Sequence, residues 1–101
     1  MPGLTRLDDA TITRELATLD GWTRVGDKLH RSLRFADFVT AFSFMAGAAL
    51  VAEKLGHHPE WCNVYHTVRI DLTTHDAGGI TALDLELARA MSALARPLLP
   101  G

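Results

Sequence analysis

The sequence predicts an α+β fold in which helices pack on one face of an antiparallel sheet, with element order α-β-β-α-β-β-α. Two observations lead to this fold class. Apolar residues recur at helical spacing in three segments, and two regions of strand-like alternation lie between those segments. The chain has 101 residues, 48% of them hydrophobic, so we expect one domain covering residues 1–101.

The first predicted helix begins at an acidic pair, where negative side chains stabilise a helix N-terminus. Asp8 and Asp9 form this pair, and the helix is expected to end before Asp20-Gly21. Its apolar stripe consists of Ile12, Leu16 and Leu19.

A β-hairpin is predicted next, with strands Trp22 to Val25 and Lys28 to Phe35 joined by the turn signal Gly26-Asp27. Side chains alternate between the two faces of a strand. One face of the second strand carries Leu29, Arg31, Leu33 and Phe35. The other face carries His30, Ser32 and Arg34, and we expect it to meet water or a ligand.

The longest predicted helix runs from an N-cap at Asp37 to a stop at Gly56. Its expected stripe comprises Phe38, Phe42, Met45, Ala49 and Ala52. Apolar residues continue most of the way round, which one sheet face cannot cover. Core packing and self-association both stay open, and the small domain favours self-association. Phe44 lies off the stripe and is therefore predicted at a subunit contact.

The second β region extends from Cys62 to Thr74, with His66 placed on its apolar face. A break at Asn63 or at Tyr65-His66 would divide it into two strands. The last helix is predicted from Thr81 as N-cap, with Asp84 at the capping-box distance. Its stripe comprises Leu87, Ala88, Met91 and Leu94.

Composition excludes several classes of protein. The net charge is -2 and no basic run is present, so direct nucleic-acid binding is not expected. The lone Cys62 cannot close a disulfide within the chain, which favours a reducing compartment. The stretch Phe38 to Ala52 is predicted to be too short to span a bilayer, and residues 1–9 carry no apolar leader pattern. We therefore expect a soluble, cytoplasmic protein.

Three histidines at element ends are the candidate catalytic residues. His57 and His58 follow the long helix, and His75 ends the second β region. Histidine exchanges protons near neutral pH, which suits general acid/base catalysis. Pro59 restricts His58 to extended backbone, and Glu53, one helical turn before His57, is expected to orient that ring.

Two other interpretations compete with catalysis. Histidines in loops are often only solvated, and a histidine at a strand end often bonds a backbone carbonyl. Three histidines with Glu60 or Asp76 could also form a zinc site. Adjacent side chains of extended chain point to opposite sides, which makes His57 and His58 poor ligands for one ion. Acid/base chemistry without a metal is therefore preferred.

The same residues form a motif set that resembles the signature of the pterin-4a-carbinolamine dehydratases. The set comprises Glu53-Lys54-Leu55-Gly56-His57-His58-Pro59-Glu60-Trp61, Asn63-Val64-Tyr65 and Thr74-His75-Asp76. Further similarity lies at Gly21-Trp22, at Phe35 to Phe38, at Ala41-Phe42, at Phe44-Met45 and at Gly79-Ile80-Thr81 before Asp84. The resemblance covers roughly Leu7 to Met91.

The resemblance implies a four-stranded antiparallel sheet with three helices on one side, in agreement with the predicted order. It implies a homotetramer, a dimer of dimers, in which sheets extend across subunits and long helices form a central bundle. The implied reaction removes water from a 4a-hydroxytetrahydropterin to give the quinonoid dihydropterin, in support of aromatic amino-acid hydroxylases. No metal or organic cofactor is implied.

Within that chemistry, His57 and His75 are predicted as acids, and His58 is predicted to hold the pterin ring. Trp22 and Trp61 are candidate aromatic walls of the substrate site, although both are also plausible core residues. Asp84 is assigned mainly to helix capping. Animal relatives also serve as dimerisation cofactors of a homeodomain transcription factor. A binding module that uses only the helix surface is therefore the alternative to an enzyme.

Overall fold

The computed structural model describes residues 4–100 and confirms the predicted α+β fold and the element order. The helices and strands are α1 (Asp9–Leu16), β1 (Thr23–Val25), β2 (Lys28–Arg34), α2 (Phe38–Leu55), β3 (Glu60–Val64), β4 (Thr67–Leu72) and α3 (Ala82–Ala95). Short 3-10 helices follow β4 and α3, at His75–Ala77 and Arg96–Leu98.

The four strands form one antiparallel sheet in the order β1-β2-β4-β3. The second β region is two strands, as the possible break suggested, and β3 begins at Glu60, before the predicted Cys62. The Asn63 side-chain amide donates to the carbonyls of Tyr65 and Thr67, at 3.0 and 2.9 Å. These bonds close the turn at Tyr65-His66. The placement of His66 on an apolar strand face was therefore wrong.

The core lies between the sheet and the helices. Alternate residues of β2 and β4 are almost completely buried, and so are several side chains of α3. The buried strand residues are Leu29, Leu33, Val68, Ile70 and Leu72, and they meet Leu85, Leu87, Ala88, Met91 and Ala95 of α3. The opposite face of the sheet carries the polar residues of β2, as predicted for His30, Ser32 and Arg34.

The buried stripe of α2 differs from the predicted one. The helix buries Ala41, Phe44, Ala48 and Ala52. The Phe44 ring lies 5.3 Å from that of Phe35, measured between centroids, so its assignment to a subunit contact was wrong. Phe38 and Phe42 are 48% and 58% exposed. Apolar side chains surround most of α2, so spacing alone fitted two different stripes.

The exposed side of α2 is unusually apolar. We define the α2 apolar face as its exposed apolar residues Phe38, Val39, Phe42, Ala46, Ala49 and Leu50. Within residues 4–100, α2 is the one helix long and apolar enough to cross a membrane by length and composition, contrary to the length expected from the sequence. Core helices of soluble proteins also meet that criterion, and α2 contributes Ala41, Phe44, Ala48 and Ala52 to the core.

Candidate active site

The three predicted histidines lie around one shallow, open pocket of about 280 Å³. The pocket lies between the end of α2 and the segment that follows β4. It is lined by Gly56, His57, His58, Thr73, Thr74, His75 and Asp76. The fold therefore brings His75 to His57 and His58, although 17 positions of sequence separate His75 from His58.

The C-terminus of α2 determines where His57 lies. Gly56 takes the left-handed conformation, with φ of 65°, which glycine adopts without steric cost. The Gly56 and His57 amides donate to the carbonyls of Glu53 and Ala52, respectively, both at 3.1 Å. This pair of bonds is a Schellman motif. It turns the chain sharply, so that His57 points into the protein and not along the helix axis.

His57 is buried and bonded to a completely buried carboxylate. Its Nε2 lies 2.5 Å from Oδ1 of Asp84, and the Asp84 side chain is 0% exposed. The second oxygen, Oδ2, accepts from the Thr74 hydroxyl at 2.8 Å and from the Thr81 amide at 2.9 Å. Both Asp84 oxygens are thereby satisfied. The bond fixes the plane of the His57 ring and leaves Nδ1 as the nitrogen available to a ligand.

Asp84 also caps α3. The Thr81 side chain and the Asp84 carboxylate form the predicted capping box at the start of the helix. The hydroxyls of Thr74 and Thr81 lie 2.8 Å apart, which continues the network. The capping role of Asp84 was predicted from the sequence, but its bond to His57 was not. A hint that Asp84 lies near the histidines was present in the sequence, because Asp84 and the Thr74-His75-Asp76 motif were both parts of the pattern that resembles the family.

His58 is paired with Glu53, and this corrects the prediction that Glu53 orients His57. The His58 Nε2 lies 2.8 Å from the Glu53 carboxylate, and both side chains are exposed. The Schellman motif explains why Glu53 contacts His58 and not His57. It directs His57 inward to Asp84 and leaves the next ring beside the last turn of α2.

His75 belongs to a hydrogen-bonded chain of polar side chains on the surface. Its Nε2 lies 2.9 Å from Glu60 Oε2, and Glu60 Oε1 accepts from the Lys28 ammonium at 2.5 Å. The bond from Lys28, followed by that from His75, lowers the pKa of Glu60 below its usual value. The bond to Glu60 likewise raises the pKa of Lys28. Glu60 was considered in the sequence only as a metal ligand, and the structure gives it this other contact.

Neither tryptophan lines the histidine pocket. Trp22 is buried in the core, and its indole N–H donates to Ser92 Oγ of α3 at 2.9 Å. Trp61 pairs with Ile70 across β3 and β4 and packs partly against the core. The substrate-binding role expected of Trp22 and Trp61 therefore stays a prediction. Both have the core role that was the alternative, because their apolar rings face the helices.

Each pocket histidine has a different carboxylate partner: Asp84 for His57, Glu53 for His58 and Glu60 for His75. In all three rings the bonded atom is Nε2. Among residues 4–100, His, Cys, Asp and Glu side chains form no group of three or more that could hold a metal ion. Such rings, each oriented by a carboxylate and open to one pocket, are suited to proton transfer.

Comparison with known proteins agrees with this geometry. The family model described as pterin 4 alpha carbinolamine dehydratase matches residues 5–94. A Solibacter usitatus protein provisionally named pterin-4-alpha-carbinolamine dehydratase is 56% identical over 91 residues, covering 90% of this chain and 96% of the relative. A Bradyrhizobium diazoefficiens protein with the same provisional name is 54% identical over 98 residues, covering 95% and 97%.

A crystal structure from Brucella melitensis, described as a transcriptional coactivator/pterin dehydratase, superposes with a TM-score of 0.88. It is 49% identical in sequence, and the match covers 90% of this chain and 99% of that one. The family match spans most of the sequence and includes all three histidines and Asp84. The chain therefore belongs to the pterin-4a-carbinolamine dehydratase family.

Proposed function

We propose that this protein is a dehydratase that removes water from a 4a-hydroxytetrahydropterin and releases the quinonoid dihydropterin. The observation that carries the proposal is the pocket with three histidines, each oriented by its own carboxylate. Family membership and the provisional names of the relatives support it. In this role the enzyme would return pterin to tetrahydropterin recycling, and an aromatic amino-acid hydroxylase would supply its substrate.

The reaction needs one proton delivered and one removed. The bond between C4a and the hydroxyl oxygen breaks, and that oxygen leaves as water after taking a proton from an acid. The nitrogen lone pair next to C4a forms the new C=N bond, and a ring N–H proton passes to a base or to water. We assign the acid role to His57, through Nδ1, and to His75. His58 would hold the pterin ring.

The rate of dehydration tests this proposal directly. A chemically prepared 4a-hydroxytetrahydropterin loses water slowly by itself, and the protein should accelerate that loss, followed by absorbance. His57→Ala should abolish most of the acceleration. His30→Ala is the matched control, because His30 is also bonded to a carboxylate, Asp71, at 2.9 Å, but lies on the open face of the sheet. No acceleration by the wild-type protein would refute the proposal.

Chelator treatment distinguishes acid/base chemistry from the zinc alternative. We expect the dehydration rate to survive a strong chelator, because the three pocket histidines are each bonded to a separate carboxylate. Loss of activity that zinc alone restored would instead establish a metal enzyme.

We propose further that the protein assembles as a homotetramer through the α2 apolar face. Phe38, Val39, Phe42 and Leu50 are between 48% and 76% exposed, and covering such side chains favours association. Phe42→Glu should give smaller species in sedimentation while the fold persists, because the new carboxylate would be buried only in the assembly. Phe44→Glu is the matched comparison and should abolish cooperative melting, because Phe44 is 1% exposed. A tetrameric Phe42→Glu protein would exclude this face.

A protein-binding role is the second candidate function. The Brucella melitensis relative is described as a transcriptional coactivator as well as a pterin dehydratase, and the α2 apolar face offers a surface for such contact. The two functions separate by mutation. Phe42→Glu should affect binding of a protein partner and spare dehydration, whereas His57→Ala should do the reverse.

The two remaining expectations concern the cellular location of the protein and the extent of its domain. We propose a cytoplasmic location, because the exposed Cys62 thiol is free and suits a reducing compartment. We also propose that residues 1–101 act as a single domain. Fractionation of cells producing the protein tests the first, and one cooperative calorimetric transition tests the second.

A further inference from the structure

A second cavity, of about 540 Å³, shares no lining residue with the histidine pocket. It lies where the end of α1, the strand β2 and the C-terminal part of α3 meet. Three arginines line it, Arg31, Arg89 and Arg96, and Asp20 is the one acidic residue among the lining residues that the structure describes. The dehydration proposed above does not use any of these side chains.

Arg31 is held in a fixed position by its neighbours. It shares the inward-facing parity of Leu29 and Leu33, so its guanidinium reaches under α3, where Nη1 donates to Ser92 Oγ at 3.0 Å. Ser92 also accepts the Trp22 indole N–H. Gly21 allows the close approach, because a Cβ there would lie 2.8 Å from Arg31 Nε. A cation fixed in this way loses little conformational entropy when it binds a ligand.

The positive charge in this cavity is incompletely neutralised. Arg89 pairs with Glu15 at 3.3 Å. Arg31 and Arg96 make no ion pair with any residue in the range 4–100. Burial lowers the pKa of Arg31, which the charge of Asp20 opposes and that of Arg96 reinforces. Two guanidiniums close enough to disfavour each other thus face one carboxylate, an arrangement that an anionic ligand would relieve.

We propose that this cavity binds the oxyanion group of a small molecule, a carboxylate or a phosphate. The planar guanidinium donates two parallel hydrogen bonds to either group. Leu19 and Leu99 add apolar walls, so an organic anion fits better than a bare ion. The site is separate from the histidine pocket, so its ligand can be a second molecule bound at the same time as a pterin.

Titration with inorganic phosphate and with succinate, followed by NMR of the full-length protein, tests the site and distinguishes the two sources of the oxyanion. Both probes should shift the Arg31 and Arg96 side-chain signals saturably, and the tighter probe identifies the preferred group. Arg96→Gln should weaken the better probe about tenfold, the loss expected for one charge-assisted contact. Arg31→Gln should weaken it at least as much, provided that cooperative melting is retained.

Arg69→Gln is the matched control, because Arg69 is an exposed arginine on the opposite face of the sheet, without an ion pair to residues 4–100. Its affinity for the probe should equal that of the wild type, and so should that of His57→Ala. The proposal is overturned if neither probe binds saturably in the millimolar range. It is equally overturned if Arg69→Gln weakens binding as much as Arg96→Gln, since attraction would then come from net charge alone.

Discussion

The two sides of the histidine pocket use the same pair of groups in opposite environments. On one side, buried His57 meets Asp84, which is completely enclosed and bonded to Thr74 and Thr81. On the other, His75 is 77% exposed and meets Glu60, which is itself tied to the surface ammonium of Lys28. The first pair depends on the packing of α3 for its geometry, and the second depends on side chains that water can reach.

This difference suggests unequal tolerance of substitution. Removing one partner from a buried hydrogen-bonded pair leaves a desolvated polar group without compensation. Removing one partner from an exposed pair lets water replace it, and such pairs contribute little to stability. The His57 side of the pocket should therefore respond strongly in both rate and stability, and the His75 side mainly in rate.

The largest expected effect is on catalysis. We expect His57→Ala to lower the dehydration rate about a thousandfold and His75→Ala about a hundredfold, both within the range for loss of a general acid. Water can partly replace an exposed acid, which explains the smaller loss at His75. Turnover at saturating substrate measures both. Equal losses, or a larger loss at His75, would mean that burial does not decide the contribution of each ring.

Replacing the buried carboxylate by its amide should affect rate and stability together. In Asp84→Asn one amide oxygen can serve Thr74 and Thr81, but the NH2 group then faces His57 and cannot accept its Nε2–H. We expect the dehydration rate to fall about a hundredfold and the free energy of unfolding to fall about 2 kcal/mol. Urea denaturation measures the second. Glu60→Gln is the control and should lower the urea midpoint much less, because its ion pair is exposed to water.

Loss of the Thr74 hydroxyl, which donates to Asp84, should have a smaller effect on the free energy of unfolding. Thr74→Val keeps the shape of the side chain but removes the hydrogen bond to Oδ2 of Asp84, at a cost of about 1 kcal/mol in unfolding free energy. Ser32→Ala, on the exposed face of β2, is the comparison and should be neutral. A neutral Thr74→Val protein would show that the capping box alone holds the carboxylate in place.

The smallest expected effect is a change in the pKa of Glu60, on the exposed side of the histidine pocket. The pKa of Glu60 is lowered in the folded protein, so its ion pair stabilises the fold above the usual glutamate pKa. That contribution is lost as the pH falls through the lowered value. Lys28→Met should move the Glu60 pKa upward, measured by NMR titration of the side-chain carboxyl. An unchanged pKa would mean that His75, and not Lys28, is the main partner.

Sequence patterns predicted where helices and strands begin and end more reliably than which side of a helix is buried. Turn residues and caps such as Asp37, Gly56 and Thr81 located the ends of the helices, because each satisfies backbone groups locally. The stripe of α2 was misassigned because nearly every position there is apolar, so periodicity carries little information about which side meets the sheet. For this reason Phe42 was placed on the predicted stripe and Phe44 off it, whereas the structure buries Phe44 and exposes Phe42.

That the three histidines lie together was predictable, but their carboxylate partners were not. Three histidines were identified from the motif, yet their carboxylate partners depend on how separate elements dock. Glu53 was assigned to the neighbouring ring, because a spacing of four residues ignores the reversal of direction at Gly56. Asp84 lies 27 positions from His57, and only the packing of α3 against the end of α2 reveals that contact.

The capping box at Thr81 and Asp84 has a consequence for how this protein can change over time. One carboxylate both caps a helix and orients the buried histidine of the pocket, so a substitution there disturbs two structural features at once. A lineage that lost the proposed enzymatic role would still gain stability at the start of α3 from an acceptor at position 84. Retention of Asp84 in a descendant therefore says little about activity, and loss of the exposed His75 would be the more informative change if the proposed dehydration is right.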